Sequence, residues 1–314
     1  MRRHSRRPKA VRLAVRAGAA AIVGSAIALP LVRKRLRIPG PVTLAVAASG
    51  PLAVAVLAPR SRRRDVALFA MQMWAFTVVH EMPYDDPEAL HRRLHTRYPI
   101  KVDSLIGLGR LPGARLQTFL AGRRHTAALD RVLTIAHWLW FFEPYAVLFW
   151  IQVRHPDRFP RAARQMAAVF DAGAFGYWAV PTAPPWWASE QGLIKEPMRR
   201  IMFEVGEPLW GDLWGPLYKA LGGNPWAAMP SLHFATSVQG AVSLSEASRG
   251  EGAIGWAYAL TLGFGLVYLG EHYVTDLLAG AGLVGAVRVA DPVFAPSVGR
   301  ASAVIQRLEQ LAEG

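Results

Sequence analysis

The sequence predicts an all-α, polytopic membrane protein, in which a six-helix core follows one or two N-terminal membrane segments. The chain has 314 residues, of which 52% are hydrophobic and only 18% charged, so it is more apolar than a typical soluble domain. Apolar stretches recur at lengths near the roughly 20 residues that a helix needs to cross about 30 Å of hydrocarbon. There are eight of them, at residues 13–32, 41–59, 66–82, 129–151, 163–182, 231–248, 253–270 and 274–290.

The net charge of +14 comes from one region, since residues 1–64 hold 15 lysines and arginines and no acid. Basic residues that flank apolar segments are typical of cytoplasmic anchoring at anionic lipid. No aromatic residues interleave with them, so we expect no nucleic-acid partner. The expected partners are the lipid bilayer and a membrane lipid substrate, and the oligomeric state stays open. The chain has no cysteine, which excludes disulfides and thiolate chemistry.

Composition divides the chain into three regions. Residues 1–64 form a basic membrane-anchoring region, residues 65–292 a six-span core, and residues 293–314 a cytoplasmic tail. Within the core, residues 83–128 are too polar to cross a membrane and too long for a simple loop. We therefore expect this segment to form interfacial helices on the outer side.

Short basic loops predict the orientation, because positive charge stays on the cytoplasmic side. Residues 154–164 and the turn around Arg249 are such loops, which places the link 271–273 on the outer face of a bacterial plasma membrane and both termini inside. The basic cluster 33–37 conflicts with this orientation if the first two stretches each cross once. Because Gly50 and Pro51 interrupt the second stretch, a re-entrant segment is the alternative.

Two short motifs carry the candidate chemistry. In the first, Ser231 follows a proline at the start of an apolar helix and could cap the helix. The free N–H groups at this helix start also attract an anion. His233 lies in the same first turn. In the second, His272 and Asp276 are four residues apart, so a carboxylate could hold one ring nitrogen and leave the other free to attack phosphorus. Each motif alone also fits a purely structural role.

The spacing of the motifs favours function. His233 and His272 are 39 residues apart, which is close to two helical crossings and a tight turn, so both histidines return to one membrane surface. A membrane haem protein with two axial histidines is the runner-up interpretation. A transporter is a third, but the sequence lacks the internal symmetry expected of one.

The motifs resemble those of the type-2 phosphatidic acid phosphatase superfamily. Residues 229–233 are similar to its second signature, with Leu232 in place of the commoner glycine, and His272 with Asp276 is similar to its third. Residues 181–186 resemble the inositol phosphorylceramide synthase branch. The resemblance implies that His272 forms a phosphohistidine, that Asp276 orients His272 and that His233 protonates the leaving oxygen. The expected reaction is transfer to an alcohol, and the alternative is hydrolysis of a lipid phosphate.

Two departures from the superfamily concern phosphate binding. The first signature is absent, and Leu266 stands where an arginine is expected before the nucleophile. Other cations must then neutralise the phosphate, for which Lys195, Arg199 and Arg200 are the nearest candidates in sequence. Asp130 and His137 share one helix face at the outer side and are candidates to bind a headgroup, with Ser231 as a further phosphate ligand. We expect no metal and no cofactor.

Overall fold

Helices make up nearly all of the chain that the structure describes. A computed structural model describes residues 9–121, 126–216 and 224–313, and these contain isolated β-bridges but no β-strand. The predicted all-α fold class is therefore confirmed. Short 3₁₀ helices lie at Met82–Asp85 and Gly211–Leu213.

The α-helices are numbered in chain order. They are α1 (Lys9–Leu36), α2 (Gly40–Leu57), α3 (Arg62–Glu81), α4 (Pro87–Arg92), α5 (Arg97–Ile106), α6 (Pro112–Leu120), α7 (Thr126–Leu139), α8 (Glu143–Arg154), α9 (Phe159–Ala179), α10 (Pro185–Glu190), α11 (Ile201–Trp210), α12 (Leu232–Ala247), α13 (Arg249–Tyr268) and α14 (Val274–Glu313). By their contacts they form two units, one of residues 1–85 with 289–314 and one of residues 86–288.

In the first unit, the start of α1 packs against the end of α2 and the end of α14. Ala19, Ala53, Val56 and Ala312 form the buried core of this contact. Helix α2 runs without a break through Gly50 and Pro51, so these residues do not interrupt it. Whether α2 crosses the membrane or re-enters stays a prediction. Gly50 serves close packing instead, because a Cβ there would lie 2.9 Å from the sulfur of Met71.

The basic cluster at the end of α1 is partly neutralised within the same unit. Arg33 donates to both carboxylate oxygens of Asp85, at 2.8 and 2.9 Å, and Lys34 lies 3.0 Å from the same group. The positive-inside rule counts lysines and arginines and not net charge. The conflict that residues 33–37 pose for the predicted orientation therefore remains, although Asp85 neutralises part of their charge.

The second unit is built around the antiparallel pair of α12 and α13. Helix α12 also packs against α8 and α9, and α13 against α6 and α7. Gly255 lets the central pair approach closely, since a Cβ at that position would meet the Cα of Ala241 at 2.8 Å. Buried polar side chains of α12 bond within the bundle; Gln239, for example, donates to Gln165 at 3.1 Å and to Ser243 at 2.9 Å.

Three of the predicted spans lie in helices that are long and apolar enough to cross a membrane. They lie in α1, α2 and residues 274–294 of α14. The stretch 129–151 is not one straight helix, because α7 and α8 meet at an angle of 57°, but together the two helices are long and apolar enough to form one bent span. Pro144 explains the break, because proline lacks an N–H and disfavours helix at the residue before it.

The other four stretches are also helical. They largely coincide with α3, α9, α12 and α13, which fall short of the same standard of length or apolarity. Helix α12, for instance, has 16 residues and buries polar side chains. The structure thus supports a membrane protein without establishing eight crossings.

Candidate active site

The starts of α12 and α14 are joined directly. Ser231 caps α12, since its hydroxyl accepts the N–H of Phe234 at 3.3 Å, and the serine is fully buried. The N–H of Ser231 in turn donates to the backbone carbonyl of Asp276 at 3.0 Å. This bond ties the first turn of the helix that bears His233 to the first turn of the helix that bears Asp276.

The link between α13 and α14 places His272 beside that junction. Gly270 has φ +82°, a left-handed conformation that ends α13 and that a side chain would strain. Its carbonyl accepts the N–H of Trp186 at 3.0 Å. The chain then passes through His272 and enters α14 at Val274.

Three predicted catalytic residues lie in one chain of contacts. His272 Nδ1 is 3.3 Å from Asp276 Oδ2, and His272 Nε2 is 3.3 Å from His233 Nδ1. The N–H of Tyr273 donates to the same Asp276 oxygen at 2.9 Å, which fixes the carboxylate. Asp276 is fully buried and His272 nearly so. Asp276 therefore holds Nδ1 of His272, and Nε2 faces His233.

This arrangement argues against the haem interpretation. Two axial histidines must hold an iron atom between their nitrogens. In this structure His272 Nε2 and His233 Nδ1 lie 3.3 Å from each other, closer than two nitrogens on opposite sides of one iron atom.

Aromatic rings enclose His233. The ring of Trp140 is centred 4.1 Å from it and that of His137 4.6 Å from it. Trp140 donates to Thr236 at 2.8 Å, which holds its indole in place. His137 is buried, and its Nδ1 has no hydrogen-bond partner among the described residues. The structure thus places His137 against the proposed acid, and a headgroup role for it stays a prediction.

The predicted headgroup and phosphate ligands differ in whether they already bond to other side chains. Asp130 is buried and accepts the hydroxyl of Tyr268 at 2.6 Å. Arg199 lies 3.6 Å from Asp130 and also bonds to Glu204, and that bond raises the pKa of Arg199. Asp130 and Arg199 are therefore already paired with other groups. Lys195 is exposed.

Arg200 is better placed near the nucleophile. Its guanidinium carbon lies 3.6 Å from the centre of the Trp186 ring, within the range of a cation–π contact. Beside it is Glu271, the residue before His272. Burial raises the pKa of Glu271 to about 7, and the positive charges of Arg200 and His272 oppose that rise. Both Trp186 and Glu271 thus connect Arg200 with the link that carries His272.

Asp103 is a residue of this site that the sequence argument missed. It is buried in α5 and accepts the N–H groups of Val274 and Thr275 at 2.9 and 2.8 Å, together with the Thr275 hydroxyl at 2.5 Å. Asp103 therefore caps α14 from 171 residues away. Only its position in an amphipathic segment hinted at burial, and no local motif marked it.

Leu232 has a packing explanation. It is buried against α9, where a Cβ on Gly173 would lie 2.3 Å from its Cδ2. The absent side chain at Gly173 thus makes space for the leucine that replaces the commoner motif glycine. Among the described residues, no group of three or more histidine, cysteine or acidic side chains is arranged to hold a metal ion.

Comparison with known proteins identifies the family. A family model described as the PAP2 superfamily matches residues 101–290, more than half of the chain. The chain belongs to the PAP2 superfamily. No curated protein and no solved structure matched it. Membership in this superfamily makes the chain a lipid enzyme of the phosphatase or phosphotransferase type, and both histidine motifs lie within the matched region.

Proposed function

We propose that this protein transfers a phospho-headgroup between lipids through a phosphohistidine at His272, in the manner of an inositolphosphotransferase. The observation that carries the proposal is the contact chain from Asp276 through His272 to His233. It supplies an oriented nucleophile and an adjacent proton donor within hydrogen-bonding distance.

The reaction proceeds in two steps. His272 Nε2 attacks phosphorus, the bond from phosphorus to the leaving oxygen breaks, and His233 gives that oxygen its proton. An acceptor alcohol then attacks the phosphohistidine, His233 takes the alcohol proton, and the bond from phosphorus to nitrogen breaks. Asp276 stabilises the imidazolium that forms in between. Since the two histidine nitrogens are 3.3 Å apart, the phosphoryl group moves the ring of His233 aside as it enters.

Two features support phosphate binding at this point. The first N–H groups of α12 present the positive end of a helix dipole to an anion. Arg200, stacked on Trp186, supplies a full positive charge where the superfamily's usual arginine is missing. Lys195 and Arg199 are weaker candidates, because the first is exposed and the second is paired with Glu204.

The transferase assignment is supported by residues 181–186, which precede both motifs in the sequence and bond to residues next to each of them. Thr182 donates its N–H to the carbonyl of Trp226 at 2.9 Å and accepts the N–H of Ala228 at 3.2 Å, so it borders the run that leads into α12. Trp186 bonds to Gly270, just before His272. A segment in that position can help decide whether water or an alcohol reaches the phosphohistidine.

The test is a substrate panel on the purified enzyme. Labelled phosphatidylinositol, phosphatidic acid and a prenyl phosphate are each incubated with and without alcohol acceptors. We expect the label to appear in the acceptor. Release of free phosphate from the monoesters, with no transfer to any acceptor, would replace the transferase by a lipid phosphate phosphatase.

A further inference from the structure

A cavity of about 410 Å³ lies in the first unit, away from the residues of the catalytic motifs in sequence. It is formed where the start of α1, the end of α2 and the end of α14 meet. The residues lining it are Arg12, Arg16, Val56, Leu57, Ala58, Pro59 and Ala312. Its volume lies within the roughly 300 to 1,000 Å³ of small-ligand sites.

Two exposed arginine side chains line the cavity. Arg12 and Arg16 are one helical turn apart and so lie on the same face of α1. Within the part of the chain that the structure describes, neither has an acidic partner. The nearby Arg60 and Arg64 differ, because both pair with Glu309. An anion entering the cavity would therefore meet two guanidinium groups that form no ion pair with a described residue.

The surroundings of the cavity are apolar and suited to lipid. Both α1 and α2 are long and apolar enough to cross a membrane. Leu13, next to Arg12, is 71% exposed, and Leu52 on α2 is 54% exposed. A soluble phosphate could use the arginines alone, whereas a phospholipid could also place its acyl chains along these exposed leucines.

We propose that this cavity binds the headgroup phosphate of an anionic phospholipid, between Arg12 and Arg16, with the acyl chains along α1 and α2. The site takes lipid as a resident ligand and not as a substrate. The lipid site is formed wholly by the first unit, so a test of this site does not depend on the proposed reaction at His272.

The probe is phosphatidylglycerol added to the full-length protein in detergent, with bound lipids counted by native mass spectrometry and phosphatidylcholine as the neutral comparison. Each arginine near an anionic lipid surface strengthens the binding of the lipid. The loss of two such arginines corresponds to a decrease of about 30-fold in affinity for the lipid. We therefore expect Arg12→Gln with Arg16→Gln to weaken phosphatidylglycerol binding by about 30-fold.

The matched control is Arg35→Gln with Arg63→Gln, which removes the same charge from two arginines that are exposed, as Arg12 and Arg16 are, but lie outside the cavity. We expect this control to bind as the wild type does. Leu57→Trp, which narrows the cavity and keeps both arginines, should lose the bound lipid, and it decides the matter if the double glutamine variant does not fold.

Three results would overturn the proposal. One is wild-type binding by the Arg12 and Arg16 variant or by Leu57→Trp. Another is equal loss in both double variants, which would mean general charge attraction. The third is displacement of phosphatidylglycerol by millimolar inorganic phosphate, which would mean a site for soluble anions.

Discussion

Replacing Asp103 tests whether the start of α14 positions the catalytic residues. In Asp103→Ala the N–H groups of Val274 and Thr275 lose their shared acceptor in a buried setting. The same first turn holds Asp276, whose carboxylate orients His272. We expect the turn to loosen and the distance from His272 to its two partners to vary.

The size of the effect follows from the bonds lost. A hydrogen bond to a charged group contributes about 1.5 to 3 kcal/mol, and removing a helix cap costs about 1 kcal/mol, so the three linked bonds of Asp103 stabilise the fold by roughly 3 kcal/mol. A displacement of about 1 Å at reacting atoms can cost on the order of 100-fold in rate. We expect kcat to fall about 100-fold in Asp103→Ala and about 10-fold in Asp103→Asn, with KM nearly unchanged.

The matched control is Asp86→Ala, which removes another aspartate cap. Asp86 accepts the N–H of Ala89 at 2.9 Å at the exposed start of α4. Steady-state kinetics and a thermal melt in detergent are measured for both variants. Wild-type kcat in Asp103→Ala would refute the reasoning, and so would a fall no larger than that in Asp86→Ala.

Four further outcomes are expected. His272→Ala and His233→Ala should each abolish turnover while the protein still inserts and melts cooperatively; near wild-type turnover of His272→Ala on every lipid phosphate tried would exclude it as the nucleophile. EDTA should not inhibit, because His272 and His233 supply the nucleophile and the acid without a metal, and inhibition reversed by a divalent ion would contradict this. Burial raises the pKa of Glu271 to about 7 from 4.5, so its stabilising contribution is fully present below pH 4.5 and is lost as pH rises through 7. Glu271→Gln should therefore gain stability over the wild type between pH 5 and pH 8, by up to about 3 kcal/mol, in thermal melts; a pH-independent difference would show that Glu271 does not titrate there. Finally, Gln191→Cys should react with an impermeant maleimide in intact cells, and Gly250→Cys should not. The reverse pattern would overturn the outer-face orientation. Gln191 is chosen over neighbouring Gly192 because Gly192 has φ +66°, which a cysteine would strain.

The parts of the fold that could be predicted are those with a strong local signal. Each apolar stretch predicted where a helix lies, because a membrane imposes length and apolarity on each span separately. The continuation of α14 to Glu313 was not predicted. The 39-residue separation of His233 and His272 matches two helices and a tight turn, and the structure places their rings together. Their chemical roles stay predictions.

What could not be predicted depends on contacts distant in the sequence. Asp103 reaches α14 from a segment of short helices, where periodicity is too brief to show which face is buried. The pairing of Asp130 with Tyr268 likewise joins positions 138 residues apart. The break at Pro144 is different, since proline within an apolar run is a local signal that the length of the run concealed.

Asp276 links the two motifs through two different groups. Its carboxylate holds Nδ1 of His272, and its backbone carbonyl holds the N–H of Ser231, which caps the helix that bears His233. Asp276→Asn changes only the first of these groups. The junction between α12 and α14 should therefore survive, and His233 should stay opposite His272. For this reason we expect Asp276→Asn to keep measurable turnover where His272→Ala keeps none; complete loss in Asp276→Asn, with the fold intact, would show that the negative charge and not the geometry is decisive.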